Sequence, residues 1–433
     1  MSKPFNIFWF RRDLRLIDNH GLFKALSDDL PVVPLFIFDT AILDELKKND
    51  PRITFIHEKI KNINEALRKY NSSLLVERGK PVEVFEKLIK KLPVKNVFTN
   101  SDYEPYAVQR DKEVAGFLYK NEIGFHAYKD QVIFEKDEVV KDDGDPYTVY
   151  TPYMRKWTGH FESTAIDHFA SEKLMKGFIN KTFPEIPSLK KLGFEKSTIP
   201  VPDPETGHKR IAEYAKKRDY PALDATTHVG VHLRFGTISI RELIKKANFG
   251  DRTYFKELVW REFFMQILHH FPDVVDQNFK SSYNTLSWIN DEKTFEKWCN
   301  GQTGYPLVDA GMRQLNETAY MHNRARMVTA GFLTKHLLTD WRWGEAYFAE
   351  KLLDYELSSN NGNWQWAAGT GCDAAPYFRI FNPESQLKKF DPDRKYVKKW
   401  IPEIGSDKYP KPVVVHKEAR ERAIKAYKKA LSD

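Results

Sequence analysis

The chain has 433 residues, a formal net charge of +8 and an aromatic content of 14%. This length predicts two or three domains, or one large α/β unit. Its 41% of hydrophobic residues is enough for a sizeable core and excludes global disorder. The two cysteines, Cys299 and Cys372, cannot form a disulfide framework or a CxxC-type metal site, which fits a reducing cytosol.

Apolar runs in this sequence are short. The longest, such as 32–38, fall well below the ~20 residues that span a bilayer. Charged residues follow the first apolar run at once, unlike a secretory leader. We therefore expect a cytoplasmic protein without a membrane segment. The excess of basic residues suggests a polyanionic partner, although on charge alone a lysine-rich soluble enzyme is the favoured explanation.

The first 130 residues alternate strand and helix patterns. Buried strands are predicted at 6–10, 32–39, 73–77 and 96–99, and apolar residues spaced by three and four between 53 and 70 predict a long helix. This alternation indicates a doubly wound parallel sheet of nucleotide-binding type. No GxGxxG follows the first strand; Arg11, Arg12 and Asp13 stand there instead. A conventional dinucleotide site is therefore not expected in this part.

The rest of the chain divides in two. Residues 131–205 are irregular and rich in proline, whereas helical patterns run almost without interruption from 206 onward. The predicted division is an α/β domain at 1–130, an interdomain connector at 131–205 and a helical domain at 206–433.

Two helical segments gather polar and aromatic side chains on one face. Glu257, Trp260 and Arg261 are spaced i, i+3, i+4, and so are Asn323, Arg326 and Met327. Either group, taken alone, is equally consistent with a helix that covers the core.

Segment 354–366 combines two acids, an Asn-Asn-Gly-Asn run and two tryptophans. Asn and Gly are poor in helix interiors, so the pattern predicts a turn that exposes polar groups beside tryptophan, as a ligand wall does. With the scattered arginines it favours a flat aromatic ligand and a nucleic-acid surface.

Five motifs resemble those of the photolyase/cryptochrome family, and most closely those of class I cyclobutane pyrimidine dimer photolyases. They are FWFRRDLRLIDNHGL, ELVWREFF, GYPLVDAGMRQL, MHNRARM and DYELSSNNGNWQWAAGTGCDAAPYFRIFNP. The resemblance, from about residue 5 to 430, implies an N-terminal α/β domain, a helical FAD-binding domain and no metal. It also implies light-driven repair of pyrimidine dimers in DNA, by electron transfer from excited reduced FAD to a flipped-out lesion. The alternatives are a cryptochrome-type blue-light photoreceptor and a non-enzymatic flavin- or nucleic-acid-binding protein.

The resemblance also assigns residues to FAD. Tyr214 and 226–230 match the segment that grips the phosphates, Arg326 and Asp354 match an ion pair beside the flavin ring, and Asn360 matches the residue facing flavin N5. The family usually has Arg at His228, Ser at Gly230 and Asp at Glu356. The full cofactor set is Tyr214, Thr226, Thr227, His228, Val229, Gly230, Tyr254, Glu257, Arg261, Arg326, Asp354, Glu356 and Asn360.

Five residues match the lesion-binding positions. Trp260 and Trp366 match the two aromatic residues that sandwich the dimer, and Glu257 matches the carboxyl group that hydrogen-bonds it. Asn323 and Met327 match the cyclobutane enzymes, whereas (6-4) photolyases have His at both positions for proton donation.

Three further roles follow from the resemblance. A DNA-binding set would contact phosphates and make affinity salt-dependent, a tryptophan chain would carry electrons from the surface to the flavin, and the protein would be a monomer. Tyr106 and Ala107 replace the Asn-Glu of folate-binding members, leaving a deazaflavin, a second flavin or an empty pocket open for the antenna chromophore. The DNA set is Arg218, Arg324, Arg379, Gln386 and Lys389; the electron-transfer set is Trp298, Trp341 and Trp364.

Overall fold

The computed structural model describes residues 4–249 and 252–432, which group into two compact units. The first unit contains the chain up to Glu138, together with Thr158–Pro204 and His228–Lys246. The second contains Val139–Trp157, Glu205–Thr227 and the chain from Ala247 onward. Each unit is therefore assembled from separate stretches of sequence. The predicted linear domain boundaries at 130 and 205 stay a prediction.

A parallel sheet forms the centre of the first unit. Its order is β3-β2-β1-β4-β5, so the chain reverses its direction of winding at β1. This confirms the predicted α/β fold class. The strands are β1 Phe5–Phe10, β2 Val32–Phe38, β3 Leu75–Arg78, β4 Val94–Asn100 and β5 Gly124–Tyr128.

The sequence patterns account for the inner strands but miss the last one. Every residue of β1 and β2 is buried, because both faces of a parallel sheet are covered by helices. The edge strand β5 carries Gly124 and His126 and has half-buried or exposed side chains throughout. It therefore lacks the continuous apolar run from which a buried parallel strand is predicted.

Helices flank the sheet in the first unit and form most of the regular secondary structure in the second. The first nine are α1 His20–Leu26, α2 Thr40–Leu43, α3 Pro51–Arg68, α4 Pro81–Lys91, α5 Pro105–Lys120, α6 Tyr150–Ser163, α7 His208–Lys217, α8 Val229–Arg234 and α9 Ile240–Ala247. The next nine are α10 Arg252–His270, α11 Glu292–Cys299, α12 Pro306–Thr318, α13 Asn323–Gly331, α14 Trp341–Lys351, α15 Leu357–Ala368, α16 Pro383–Phe390, α17 Lys395–Trp400 and α18 His416–Ala430. None of the helices in the described ranges is long and apolar enough to cross a membrane.

The turn predicted within 354–366 is wrong, because α15 runs through it. Packing outweighs the poor helix propensity of this segment. The Phe264 ring lies where a Cβ on Gly362 would be, with Cδ1 only 2.1 Å from that position, so only glycine fits here. The amides of Asn360 and Asn361 donate outside the helix, to Glu345 and to the Val274 carbonyl, rather than competing with the helix backbone.

Candidate functional site

A pocket in the second unit is lined by α13, α14, α15 and the segment between α14 and α15. It encloses about 630 Å³ of empty space, part of it open to solvent. It brings together four of the positions that the resemblance assigned to the flavin and three of those assigned to the lesion. Among its lining residues are Asn323, Arg326, Met327, Asp354, Glu356, Asn360, Trp364 and Trp366.

An ion pair lies in the wall of this pocket. Arg326 Nη2 donates to Asp354 Oδ2 at 2.9 Å, while its Nε donates to the Met321 carbonyl at 2.8 Å. Burial would lower the pKa of Arg326, but the charge of Asp354 and its hydrogen bond outweigh burial and raise it. The pocket therefore keeps a guanidinium whose position is fixed from two directions.

Asn360 is oriented by an acid that the sequence did not suggest. Its Nδ2 donates to Glu345 Oε1 at 2.7 Å and to the Glu345 carbonyl at 3.1 Å. Burial raises the pKa of Glu345, although the hydrogen bond from Asn360 opposes this shift. Glu345 comes from α14, whereas Asn360 comes from α15, so no local spacing could have linked the two.

Glu356 lies at the start of α15, where the resemblance expects the shorter Asp. Its Oε2 accepts hydrogen bonds from Ser358 Oγ at 2.8 Å and Ser359 Oγ at 2.9 Å. The carboxylate is thereby held against the first turn of its own helix while still lining the pocket.

Hydroxyl groups gather at the residues assigned to the phosphates. Tyr254 Oη lies 3.0 Å from Thr227 Oγ1, and the Tyr254 ring meets the Tyr214 ring edge-on at 5.0 Å. Thr226 Oγ1 lies 3.3 Å from the hydroxyl of Tyr320, whose ring lies 5.6 Å from Arg326 Cζ. Tyr320, which the sequence did not suggest, thus links the hydroxyl groups to the ion pair.

Four more positions, His228, Val229, Gly230 and Arg261, were assigned to the cofactor. His228, Val229 and Gly230 belong to the first unit, where His228 adopts a left-handed conformation, with φ of 52°, at the start of α8. Arg261 is half-buried on α10.

The lesion-assigned residues on α10 already have partners within the protein. The Trp260 indole stacks on Tyr150, with ring centroids 3.6 Å apart and planes 9° from parallel. Glu257 forms an ion pair with Arg218 at 2.5 Å. A carboxylate assigned to the lesion and a guanidinium assigned to a DNA phosphate therefore hold each other.

The residues assigned to DNA differ in how available they are. Arg324 pairs with Asp219 at 2.7 Å and lies over the Phe390 ring at 4.0 Å, where Lys389 also approaches at 5.0 Å. Arg379 and Lys389 are exposed, whereas Gln386 is half-buried, and its Oε1 has no hydrogen-bond partner among the described residues. Arg218 and Arg324 therefore already have carboxylate partners within the protein, and their assignment to DNA stays a prediction.

The predicted tryptophan chain does not reach solvent. Trp298 and Trp341 are 0% exposed and Trp364 is 2% exposed. The rings of Trp298 and Trp364 lie 6.1 Å apart in one buried cluster that also contains Trp341. Trp288, which the sequence did not suggest, is half-buried against this cluster and is the kind of residue that can connect it to solvent.

The first unit has a cavity of its own beyond the carboxyl ends of β1 and β2. It encloses about 810 Å³ of empty space, part of it open to solvent. The Arg11 and Arg110 guanidinium groups lie 4.9 and 5.2 Å from the Trp9 ring centroid, and Tyr106 Oη donates to Asp39 at 2.5 Å. Its four arginines, all paired with carboxylates, are Arg11, Arg12, Arg110 and Arg234.

Comparison with known proteins identifies both parts of the chain. The DNA photolyase family matches residues 6–172, and the FAD binding domain of DNA photolyase matches residues 254–407. The deoxyribodipyrimidine photo-lyase of Halobacterium salinarum is 35% identical, over 99% of this chain and 99% of its own length.

Solved structures agree over the full length. A bacterial class III photolyase from Agrobacterium tumefaciens has a TM-score of 0.89 at 32% identity, covering 100% of this chain and 99% of that one. An archaeal photolyase from Sulfolobus tokodaii, solved with two FAD molecules, has a TM-score of 0.87 at 33% identity, covering 99% and 100%. A Synechocystis cryptochrome has a TM-score of 0.86 at 25% identity, covering 98% and 99%.

Proposed function

This chain belongs to the DNA photolyase family, and we propose that it is a light-driven enzyme that repairs cyclobutane pyrimidine dimers in DNA. One observation carries the proposal: a single pocket combines the residues assigned to the flavin with those assigned to the lesion. On the flavin side are Arg326, Asp354 and Asn360. On the lesion side are Asn323, Met327 and Trp366.

The residues present fit FAD, the cofactor of the matched domain. The paired Arg326 and Asp354, with the carboxamide of Asn360, offer hydrogen bonds to a polar ring edge, and the hydroxyls of Tyr254 and Thr227 can donate to phosphate oxygens. When bound, reduced FAD would absorb blue light and supply the electron that splits the dimer. Binding and orientation are the work of the protein.

Asn360 would orient the flavin edge without titrating. A carboxamide neither gains nor loses a proton near neutral pH, so it can hold a hydrogen bond without acting as an acid. The Glu345 carboxyl group fixes the direction of this amide from behind. The Asn360–Glu345 pair therefore offers the reduced cofactor a hydrogen bond without an acidic proton that would change its charge.

Trp260 and Trp366 would hold the extruded bases. Stacking on an aromatic side chain contributes about 1–3 kcal/mol per base. Glu257 lies one turn from Trp260 on α10, and Arg218 holds its carboxylate in place until a ligand arrives. A phosphate that attracts Arg218 would leave Glu257 able to accept a hydrogen bond from a base.

The exposed Arg379 and Lys389 would contact DNA phosphates without first breaking an internal pair. Such contacts release counterions, so affinity should fall as salt increases. We also propose that the enzyme works as a cytoplasmic monomer.

We further propose that the arginine-lined cavity of the first unit holds a second chromophore as an antenna. Support comes from the two FAD molecules of the Sulfolobus tokodaii photolyase and from the cavity itself, which combines four arginines with about 810 Å³ of empty space. The absorption spectrum and the flavin-to-protein ratio of the purified protein test this proposal, because a deazaflavin adds a band to those of FAD, whereas a second flavin raises the ratio above that of a single site.

Trp288 is proposed as the surface end of the tryptophan chain. Replacing it with Phe should slow light-dependent reduction of the bound flavin, because phenylalanine is far harder to oxidise than tryptophan. Trp343→Phe is the control, since Trp343 is another half-buried tryptophan of the same unit. Equal rates for Trp288→Phe and the wild type would remove Trp288 from the path.

Repair itself is tested with an oligonucleotide that carries one thymine dimer. Flavin-reduced protein is illuminated with blue light, and the restored thymines are quantified beside dark and undamaged-DNA controls. Trp366→Leu should lower lesion affinity by about 10-fold or more while retaining FAD. A wild-type protein that leaves the dimer intact would contradict the proposal, and light-dependent binding of a protein partner without turnover would favour a photoreceptor.

A further inference from the structure

Tyr150 is the partner of Trp260, and neither the motifs nor the pocket drew attention to it. Its ring covers the indole at 3.6 Å with nearly parallel planes. Tyr150 is 7% exposed, whereas Trp260 is half-buried. Tyr150 thus covers one face of the indole, and the rings of Phe263 and Phe264 also meet it at 5.5 and 5.4 Å, so the accessible part of Trp260 is what these three rings leave uncovered.

Two hydrogen bonds fix the position of Tyr150. Its hydroxyl donates to the Lys256 carbonyl at 2.7 Å, one helical turn before Trp260 on α10. Its backbone N–H donates to Asp373 Oδ2 at 3.1 Å. Burial, with the nearby charge of Glu257, raises the pKa of Tyr150, so the phenol stays neutral and remains a donor.

Asp373 connects this arrangement to the other lesion-assigned tryptophan. Asp373 lies five residues beyond the end of α15, the helix that carries Trp366. The same two helices also pack directly, because Phe264 of α10 fills the space left by Gly362 of α15. Tyr150 therefore contacts both regions: its backbone binds the segment that follows Trp366, and its ring stacks on Trp260.

We propose that Tyr150 is a positioning residue for lesion binding: it holds the Trp260 indole at a fixed orientation so that one face is presented to an extruded pyrimidine. This inference rests on the proposed function. Aromatic pairs in a core contribute beyond their buried area, and a free indole would lose rotamer freedom on binding that a stacked one has already lost.

The test compares three substitutions at one position. Tyr150→Phe keeps the stack and removes only the hydroxyl, Tyr150→His keeps a smaller flat ring, and Tyr150→Leu removes the stack. For Tyr150→Leu, dark affinity for a thymine-dimer oligonucleotide should fall about 3- to 10-fold and KM should rise in proportion, with kcat and flavin content unchanged. Tyr150→Phe should stay within about 2-fold of wild type, with Tyr150→His between the two.

Tyr153→Leu is the matched control. Tyr153 lies one turn later on α6, is 1% exposed and contacts Phe263 rather than the Trp260 face. A loss of lesion affinity in Tyr153→Leu equal to that in Tyr150→Leu would mean that general loosening explains the effect. Unchanged KM in a folded Tyr150→Leu would overturn the proposal. If Tyr150→Leu does not fold, equal affinities for Tyr150→Phe and Tyr150→His would overturn it as well.

A measurement without DNA separates this inference from the proposed function. In protein labelled with 5-fluorotryptophan, the Trp260 resonance is assigned by its absence from Trp260→Phe. We expect Tyr150→Leu, but not Tyr153→Leu, to shift and broaden this resonance, because the ring current and restraint of Tyr150 are lost. An unchanged resonance would overturn the positioning role. A wild-type protein that shows this signature but no preference for damaged DNA would instead contradict the function.

Discussion

The two cavities of this protein hold their charged groups in different ways. The pocket of the helical unit has one guanidinium, Arg326, paired with the Asp354 carboxylate, while the Glu356 carboxylate is held by two serine hydroxyl groups. In the first unit, Arg12 is shared between Asp102 and Glu104, and Arg234 also pairs with Glu104. Among the described residues, one cavity therefore contains a single ion pair, whereas the other contains a network in which Arg12 and Glu104 each have two partners.

This difference indicates what each cavity tolerates. An isolated ion pair fixes one charged group in one place, and losing either partner leaves an uncompensated charge. A network can redistribute its contacts after a single loss. In the first unit burial would raise the pKa of Asp102, but Arg12, Arg110 and Arg11 together lower it. The helical pocket is thus suited to orienting a cofactor. The network of the first unit is suited to keeping its charges compensated when one of them is lost.

The largest effect is expected from breaking the Arg326–Asp354 ion pair. Asp354→Asn leaves Arg326 without its carboxylate, so the free energy of unfolding should fall by about 3 kcal/mol and flavin content should fall with it. Denaturant unfolding and flavin absorbance measure the two effects. Asp102→Asn in the first unit should cost less than half as much, because Glu104 remains beside Arg12. Equal losses in the two variants would remove the contrast between pair and network.

Packing beneath the helical pocket gives the next largest effect. Gly362→Ala places a methyl group against Phe264 and should lower the free energy of unfolding by about 2 kcal/mol. The matched control is Gly116→Ala in α5, where nothing lies within 4 Å of the added Cβ. There the usual preference of helices for alanine should stabilise the protein by up to about 1 kcal/mol. Stabilisation in both variants would show that Phe264 does not constrain α15.

A histidine beside the helical pocket should make its unit sensitive to acid. Burial, followed by the charge of Arg326, lowers the pKa of His322 from 6.5 to about 4. Between these values the unfolded state binds more protons, so the free energy of unfolding decreases as pH falls through this window. From pH 7 to pH 5 the loss due to His322 is about 2 kcal/mol.

His322→Asn isolates this contribution. The imidazole Nδ1 caps α13 by accepting from the Arg324 N–H at 3.1 Å, and an Asn side chain can cap in the same way without titrating. Unfolding of wild type and variant is compared at both pH values. A variant that loses as much stability as wild type would show that His322 is not the source.

The smallest effect is expected in the first cavity. Tyr106→Phe removes the hydroxyl that donates to Asp39, but the Tyr106 side chain is 43% exposed, so the loss should be about 1 kcal/mol or less. Flavin content should be unchanged. A loss comparable to that of Asp354→Asn would mean that the first cavity also depends on a single contact.

Local spacing predicted those parts of the site that lie on one helix. Asn323, Arg326 and Met327 were expected on one face of one segment, and all three line the pocket. Partners from other segments were missed. Tyr150, Tyr320 and Glu345 each reach an assigned residue from a different element, and no spacing within the sequence connects them.

The α15 segment shows why intrinsic propensity was not sufficient. The Asn-Asn-Gly-Asn run argues against a helix when each residue is considered alone. In the folded protein the glycine makes room for Phe264, and two of the asparagines have hydrogen-bond partners on other segments. Packing and hydrogen bonding of the polar side chains, neither of which can be read from the sequence, outweigh the small helix-propensity cost of each Asn and Gly.

The sequence by itself determined the fold class, the FAD-binding half of the chain and the residue types at the candidate site. Periodicity and motifs suffice for these features because they depend on neighbours along the chain. Only the tertiary structure decided that Glu257 and Arg218 pair, that the predicted tryptophan chain is buried, and that a tyrosine stacks behind Trp260. These features depend on which side chains meet in space, and that is settled when the packed core brings distant segments together.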